Sequence, residues 1–260
     1  MNKSINPIGI FDSGIGGISL LKQAVKLLPN ENYIYFGDNL NAPYGPRKEQ
    51  EIQELSLSCA HFLNSKNVKA IVIACNTATS ASVKIMRERY NLPVISIEPA
   101  VKPAMENIKN GELIVLATTG TISLNRYKKL LKRLHADKKV TNVPCMGLVE
   151  IIEKGDLNSD EINLYIEQIF KPYLSKKVDA VVLGCTHYSF IKDNIQKYLD
   201  KNLDGERQIY DGNLGTVKQL ERVLIARDIL NKSNKKGNVE FFSSGGQRYV
   251  NLMNKIFYSE

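Results

Sequence analysis

The sequence predicts an α/β fold of two similar domains with mostly parallel sheets, and a functional site in the cleft between them. Short runs rich in Val, Ile and aromatic residues alternate with longer amphipathic stretches, the pattern of parallel strands covered by helices. Two distant segments, AIVIACNTATS from residue 70 and AVVLGCTHYS from residue 180, write the same strand, cysteine and helix unit twice. A chain of 260 residues is long enough for two small cores.

In chain order, PIGIFD (7–12) is the first strand, and FDSGIGG turns it into the helix ISLLKQAVKLL. YIYFGD (33–38) follows, then the loop NAPYGPRKE and a helix marked by the stripe Ile52, Leu55, Cys59, Phe62 and Leu63. AIVIAC and PVISIE complete this group, and Pro99 and Pro103 mark a first crossing between domains. ELIVLAT opens the second group. It continues through RYKKLLKRLHADKK (126–139), which reads as one amphipathic helix, then KVTNVPC, a helical pattern over 162–174, DAVVLGC and RQIYD. The turn-like DGN at 211–213 is the second crossing, and VEFFSS returns to the first sheet. The expected domains are therefore 1–98 with 212–260, carrying Cys75, and 99–211, carrying Cys185. Open α/β sheets bind ligands outside the C-terminal ends of their strands, which places both cysteines at the cleft.

Composition narrows the function. With 43% hydrophobic and 24% charged residues and no apolar run near the ~20 residues a bilayer span needs, the chain reads as soluble, without membrane association. The N-terminal stretch turns polar and Gly-rich before a signal-peptide core forms, so a cytoplasmic location is expected. Thiols stay reduced there, and Cys59, Cys75, Cys145 and Cys185 form no C-x-x-C pair. With only three histidines, no metal site is expected. The net charge of +8 gathers in 126–139 without aromatics interleaved in the way a base-stacking surface would need, so a solvated helix face is favoured over nucleic-acid binding.

Three motifs carry the chemistry. FDSGIGG lacks the spacing of a dinucleotide loop or a Walker loop, and Asp12 ahead of the glycines would repel a pyrophosphate. One reading is a tight turn exploiting the permissive backbone of Gly14, Gly16 and Gly17; another has Asp12 and Ser13 facing a cationic group such as an ammonium. In NAPYGPRKE the loop is a rigid helix entry, or the Tyr44 hydroxyl and nearby N–H groups bind a carboxylate. Cys75 and Cys185 end strands just before helices, where free N–H groups and the dipole favour a thiolate. Either could serve a single Cys-His nucleophile, but one nucleophile does not explain a duplicate. Two thiols facing across a cleft suit inversion of a stereocentre, one removing a proton as the other supplies one. Cys59 and Cys145 read as structural.

IGIFDSGIGG, YFGD with APYG, IACNTAT, IEP, LATTGT, LVE and LGCTHY occur in this order along nearly the whole chain. In this it closely resembles the glutamate racemases of the cofactor-independent aspartate/glutamate racemase superfamily. Cys-Thr-His at the second site favours glutamate over aspartate. The resemblance implies that Cys75 acts on D-glutamate and Cys185 on L-glutamate, assisted by Asp12 and His187, with Glu150 of the LVE motif also implicated. It implies a substrate site lined by Asp12, Ser13, Tyr44, Gly45, Asn76, Thr77, Thr118, Thr119, Thr121, Thr186 and His187. No cofactor is implied; the partners are glutamate and a second copy of the chain in a homodimer, and the product D-glutamate would serve peptidoglycan synthesis. Asn41 and Ser189 depart from the residues common in relatives, and PCMG ahead of LVE loosens the register of Glu150. Two competing expectations keep the fold with an aspartate substrate, or make this a basic protein that binds DNA.

Overall fold

The computed structural model describes residues 3–203 and 205–259. Its first sheet holds β1 (Ile8–Asp12), β2 (Tyr33–Gly37), β3 (Ala70–Ile73), β4 (Val94–Ser96) and β9 (Val239–Ser243), in the order β4-β3-β1-β2-β9. The second holds β5 (Glu112–Ala117), β6 (Val140–Pro144), β7 (Val178–Leu183) and β8 (Gln208–Asp211), in the order β6-β5-β7-β8. All pairings within both sheets are parallel. The central strands β1 and β3 are buried at every residue, as parallel strands covered on both faces must be.

Helices cover the sheets: α1 (Ile18–Leu27), α2 (Glu49–Ser65), α3 (Asn76–Arg89), α4 (Val101–Met105), α5 (Thr119–Ser123), α6 (Asn125–Arg133), α7 (Leu148–Glu153), α8 (Asp160–Phe170), α9 (Lys192–Asn202), α10 (Asn213–Ala226) and α11 (Gln247–Tyr258). The apolar stripe expected on α2 is real, since Ile52, Cys59 and Leu63 are all buried. One apolar cluster runs from Ile10 and Ile18 through Leu116, Leu183 and Tyr188, so the two sheets share a continuous interior. No helix among the described residues is long and apolar enough to cross a membrane.

The basic segment 126–139 is not one helix. α6 stops at Arg133, because His135 adopts a left-handed φ of 51° that ends helical hydrogen bonding, and β6 begins at Val140. Part of its charge is also engaged: Arg126 and Arg133 both reach Glu98. Tyr127, Leu130 and Leu131 supply the buried stripe.

The topology positions the site. β1 lies between β2 and β3, so the loops after β1 and β3 diverge at its C-terminal edge, a crevice of the kind where open sheets bind ligands. Asp12 ends β1, Cys75 follows β3, Thr118 follows β5 and Cys185 follows β7. Parallel pairing brings strands of one sheet to the same end.

Candidate active site

Cys75 is the N-cap of α3. Its Sγ accepts a hydrogen bond from Ala78 N at 3.4 Å, and the Ser13 hydroxyl is a second partner. Burial pushes the thiol up to about 12, and the adjacent Asp12 charge adds to that push against both hydrogen bonds. Cys75 is therefore a thiol near neutral pH. A charge on Cys185 would raise Cys75 in the same sense.

Cys185 has a different setting. A 3-10 turn, Thr186–Ile191, separates it from α9, and no side-chain cap forms. Its partner is His187, whose Nδ1 lies 3.8 Å from Sγ. His187 Nε2 lies 2.6 Å from Glu153 Oε1. Burial alone would drive this imidazole toward its neutral form, but the hydrogen bonds to Cys185 and Glu153 outweigh burial and hold it well above the ordinary histidine range. Burial would likewise raise Glu153, yet His187 and the N–H groups of Ile15 and Asn39 hold it below the usual carboxylate range.

Asp12 lies between the two thiols' surroundings and is fully buried. Its Oδ1 accepts from Gly14 N at 2.8 Å, and Oδ2 accepts from the Thr186 hydroxyl at 2.9 Å. Burial raises its carboxyl, opposed by His187 and these two donors. Gly14, Gly16 and Gly17 all lack positive φ, so the permissive-backbone reading of this loop gives way to one of space. A Cβ on Gly16 would sit 2.7 Å from His187 N and closer still to its ring, one on Gly14 would strike the Glu153 carboxylate, and one on Gly17 would lie 2.8 Å from Asp12 Cβ. Gly14 and Gly16 let the second domain approach, while Gly17 makes room within the first.

The threonines form one cluster. Thr77 Oγ1 lies 2.9 Å from Thr118 Oγ1 and 3.1 Å from Thr121 Oγ1, so hydroxyls from α3 meet the loop and first turn at α5. Thr118 caps α5 by accepting from Thr121 N at 3.1 Å. Gly45 packs against Thr118, and Gly120 against the Gly45 carbonyl. Asn76, Thr77 and Ser13 are buried, and Asn76 Oδ1 has no hydrogen-bond partner among the described residues. Thr119, on the first turn of α5, is exposed.

Two expected site residues fall elsewhere. Glu150 is exposed on the outer side of α7, and Glu153, one turn further, takes the place beside His187. The LVEIIEKG stretch offers carboxylates at i and i+3, and only the packing of α7 decides between them. The Tyr44 hydroxyl is turned away from a carboxylate-binding role: it donates to Asp38 Oδ2 at 2.5 Å and lies 3.8 Å from Cys59 Sγ inside the first domain. Asn41, at the departure from relatives, also donates to Asp38, at 2.9 Å. Ser189 accepts from Asn213 at 3.4 Å. Cys59 and Cys145 are both buried, and burial pushes the Cys145 thiol up to about 12. No cluster of three or more His, Cys, Asp or Glu suited to a metal ion occurs among the described residues.

Residues 12–220 match the family model for Asp/Glu/Hydantoin racemases. Along its whole length the chain is 43% identical over 261 residues to a glutamate racemase of Clostridium botulinum, and the match covers 100% of both chains. Among solved structures, a glutamate racemase isoform of Bacillus anthracis superposes with a TM-score of 0.85 at 31% identity, over 97% of this chain and 93% of that one. A glutamate racemase of Francisella tularensis in complex with D-glutamate gives a TM-score of 0.82 at 32% identity, over 98% and 94%.

Proposed function

The chain belongs to the glutamate racemases of the Asp/Glu/Hydantoin racemase family, and from that premise we propose that it inverts the α carbon of glutamate with two thiols. In the L-to-D direction the Cys185 thiolate takes the Cα proton, and the C–H electron pair becomes a carbanion delocalised into the adjacent carboxylate. The Cys75 thiol then delivers its proton to the opposite face. D-glutamate leaves with Cys185 as thiol and Cys75 as thiolate, and proton exchange with solvent restores the starting form. The reverse reaction exchanges the two roles.

The observation that carries this reading is the placement of Cys75 and Cys185 after corresponding strands of two sheets, both buried, with the Asp12 carboxylate accepting from Thr186, the residue after Cys185. Their surroundings support the division of labour. Cys75, held up to about 12, is ready to donate. His187, held above its ordinary range, sets a positive charge beside Cys185, with Nδ1 3.8 Å from its Sγ. The hard step is ionising a Cα–H beside a carboxylate, and preorganised donors lower that barrier. The hydroxyls of Thr77, Thr118 and Thr121, with Asn76 and Ser13, are donors of the right kind. Asp12 faces the substrate ammonium, and Gly45 and Thr119 line the mouth of the same site.

The product fits peptidoglycan synthesis in a bacterial cytoplasm, and the active form is a homodimer. Incubation with L-glutamate in D2O should yield D-glutamate carrying deuterium at Cα, read by NMR and chiral chromatography. Protium retained at Cα of the D-product would rule out exchangeable thiol bases.

A further inference from the structure

Glu153 belongs to α7 of the second sheet's domain, yet two of its three hydrogen-bond donors come from the first. Its Oε1 accepts from Ile15 N at 2.8 Å as well as facing His187, and its Oε2 accepts from Asn39 Nδ2 at 3.4 Å. Asn39 lies in the loop after β2 and is 5% exposed. Its amide cannot turn over without loss, because Oδ1 already accepts from the Ser243 hydroxyl at 2.8 Å. Ser243 ends β9 and is itself fixed by accepting from Gly245 N at 3.0 Å. An ionised carboxylate only accepts, so the Asn39 N–H must point at Glu153. Glu153 is the last residue of a short helix, followed by Gly155 at a left-handed φ of 87°, so its own backbone does little to hold the carboxylate.

We propose that Asn39, braced by Ser243, is a positioning residue: from the first domain it holds the Glu153 carboxylate against His187, so the partner of Cys185 is completed only where the domains meet. This rests on the reading of Cys185 and His187 as one arm of the proposed racemase. The charged and titratable groups facing Glu153 are His187, Asp12 and the Tyr35 hydroxyl, which donates to Gly14 O. Beside the Ile15 N–H, Asn39 supplies a neutral donor to Glu153. It touches neither thiol.

Asn39→Asp is the discriminating variant. It keeps the shape and the acceptor for Ser243, but sets a second carboxylate oxygen against Glu153 Oε2. A purely structural Asn39 would tolerate it. A positioning Asn39 predicts a fall in kcat of about ten- to a hundredfold, with KM for glutamate within about twofold. Independently of turnover, the ring signals of His187 in protein labelled with 15N-histidine should shift, while those of His61 and His135, the only other histidines, stay in place. Ser243→Ala should move the His187 signals in a smaller degree, and it keeps the test alive if Asn39→Asp folds poorly. Unchanged His187 signals in both folded variants overturn the proposal, whatever happens to kcat. If the wild-type chain fails to place deuterium on glutamate while His187 still shifts, the proposed reaction fails and the positioning role stands.

Discussion

The two cysteine arms begin from nearly the same sequence and end in different chemistry. Cys75 caps a helix of 14 residues and draws on local donors, Ala78 N and Ser13, beside the Asp12 carboxylate. Cys185 precedes a 3-10 turn and lacks a capping bond, and its partner is an imidazole held by a carboxylate from another helix. A repeated strand and cysteine unit places two sulfurs alike. The neighbours, not the unit, decide which groups each sulfur meets.

Removing either sulfur breaks the comparison most severely. Cys75→Ala and Cys185→Ala should each lower racemisation by about a thousandfold or more, because no second group stands in for a lost base. Each should leave a one-sided reaction: Cys185→Ala exchanges the Cα proton of D-glutamate for deuterium, and Cys75→Ala that of L-glutamate. NMR of the separate enantiomers checks this, and exchange of both enantiomers in one variant sinks the assignment of faces.

Gly16→Ala attacks only the Cys185 arm, since its methyl would overlap His187. Displacing the ring by about 1 Å predicts a loss in kcat of about a hundredfold, with little change in the proton exchange catalysed through Cys75. Next comes the carboxylate. Glu153→Gln should cost about tenfold or more in kcat, whereas Glu150→Gln should stay within about twofold. The opposite ranking would return the role to Glu150.

The same pair has a pH signature. The folded state holds Glu153 below its ordinary 4.5, so its contribution to stability is present above that value and is lost as pH falls through the lowered pKa. His187 is held above its ordinary 6.5, so its contribution is complete below that value and is lost as pH rises through the raised one. The gap in Tm between the wild-type chain and Glu153→Gln should therefore be widest between about pH 4.5 and 6.5 and narrow on both sides. A gap that does not vary with pH argues against an ion pair.

The smallest effect belongs to Tyr44→Phe. It removes the bond to Asp38 and should lower stability by about 1 to 3 kcal/mol, seen as a lower Tm, with KM for glutamate unchanged. A large rise in KM would restore Tyr44 to the substrate site.

Much of this arrangement was legible in advance. The central strands were marked by apolar runs, because strands covered on both faces must be apolar throughout, whereas the edge strands β6, β8 and β9, only partly buried, carried a fainter signal. Cys75, Cys185, Asp12 and His187 stood out by position at strand ends. The extent of α6 was not legible, since leucine spacing continues to Leu134 while the backbone turns left-handed at His135. Glu153 and Asn39 were missed because nothing local distinguishes them: Glu153 shares its helix with Glu150, and Asn39 is one polar residue in a polar loop.

The sequence by itself determined two parallel sheets, the repeated cysteine unit and its place at the strand ends, because periodicity and chain direction are local properties. Only the tertiary structure decided which carboxylate meets His187, that the Tyr44 hydroxyl turns inward to Asp38, and that two glycines, Gly14 and Gly16, serve close approach between domains. Those outcomes depend on groups distant in sequence meeting at contact range, where a shift of one helical turn exchanges a buried ion pair for a solvated charge.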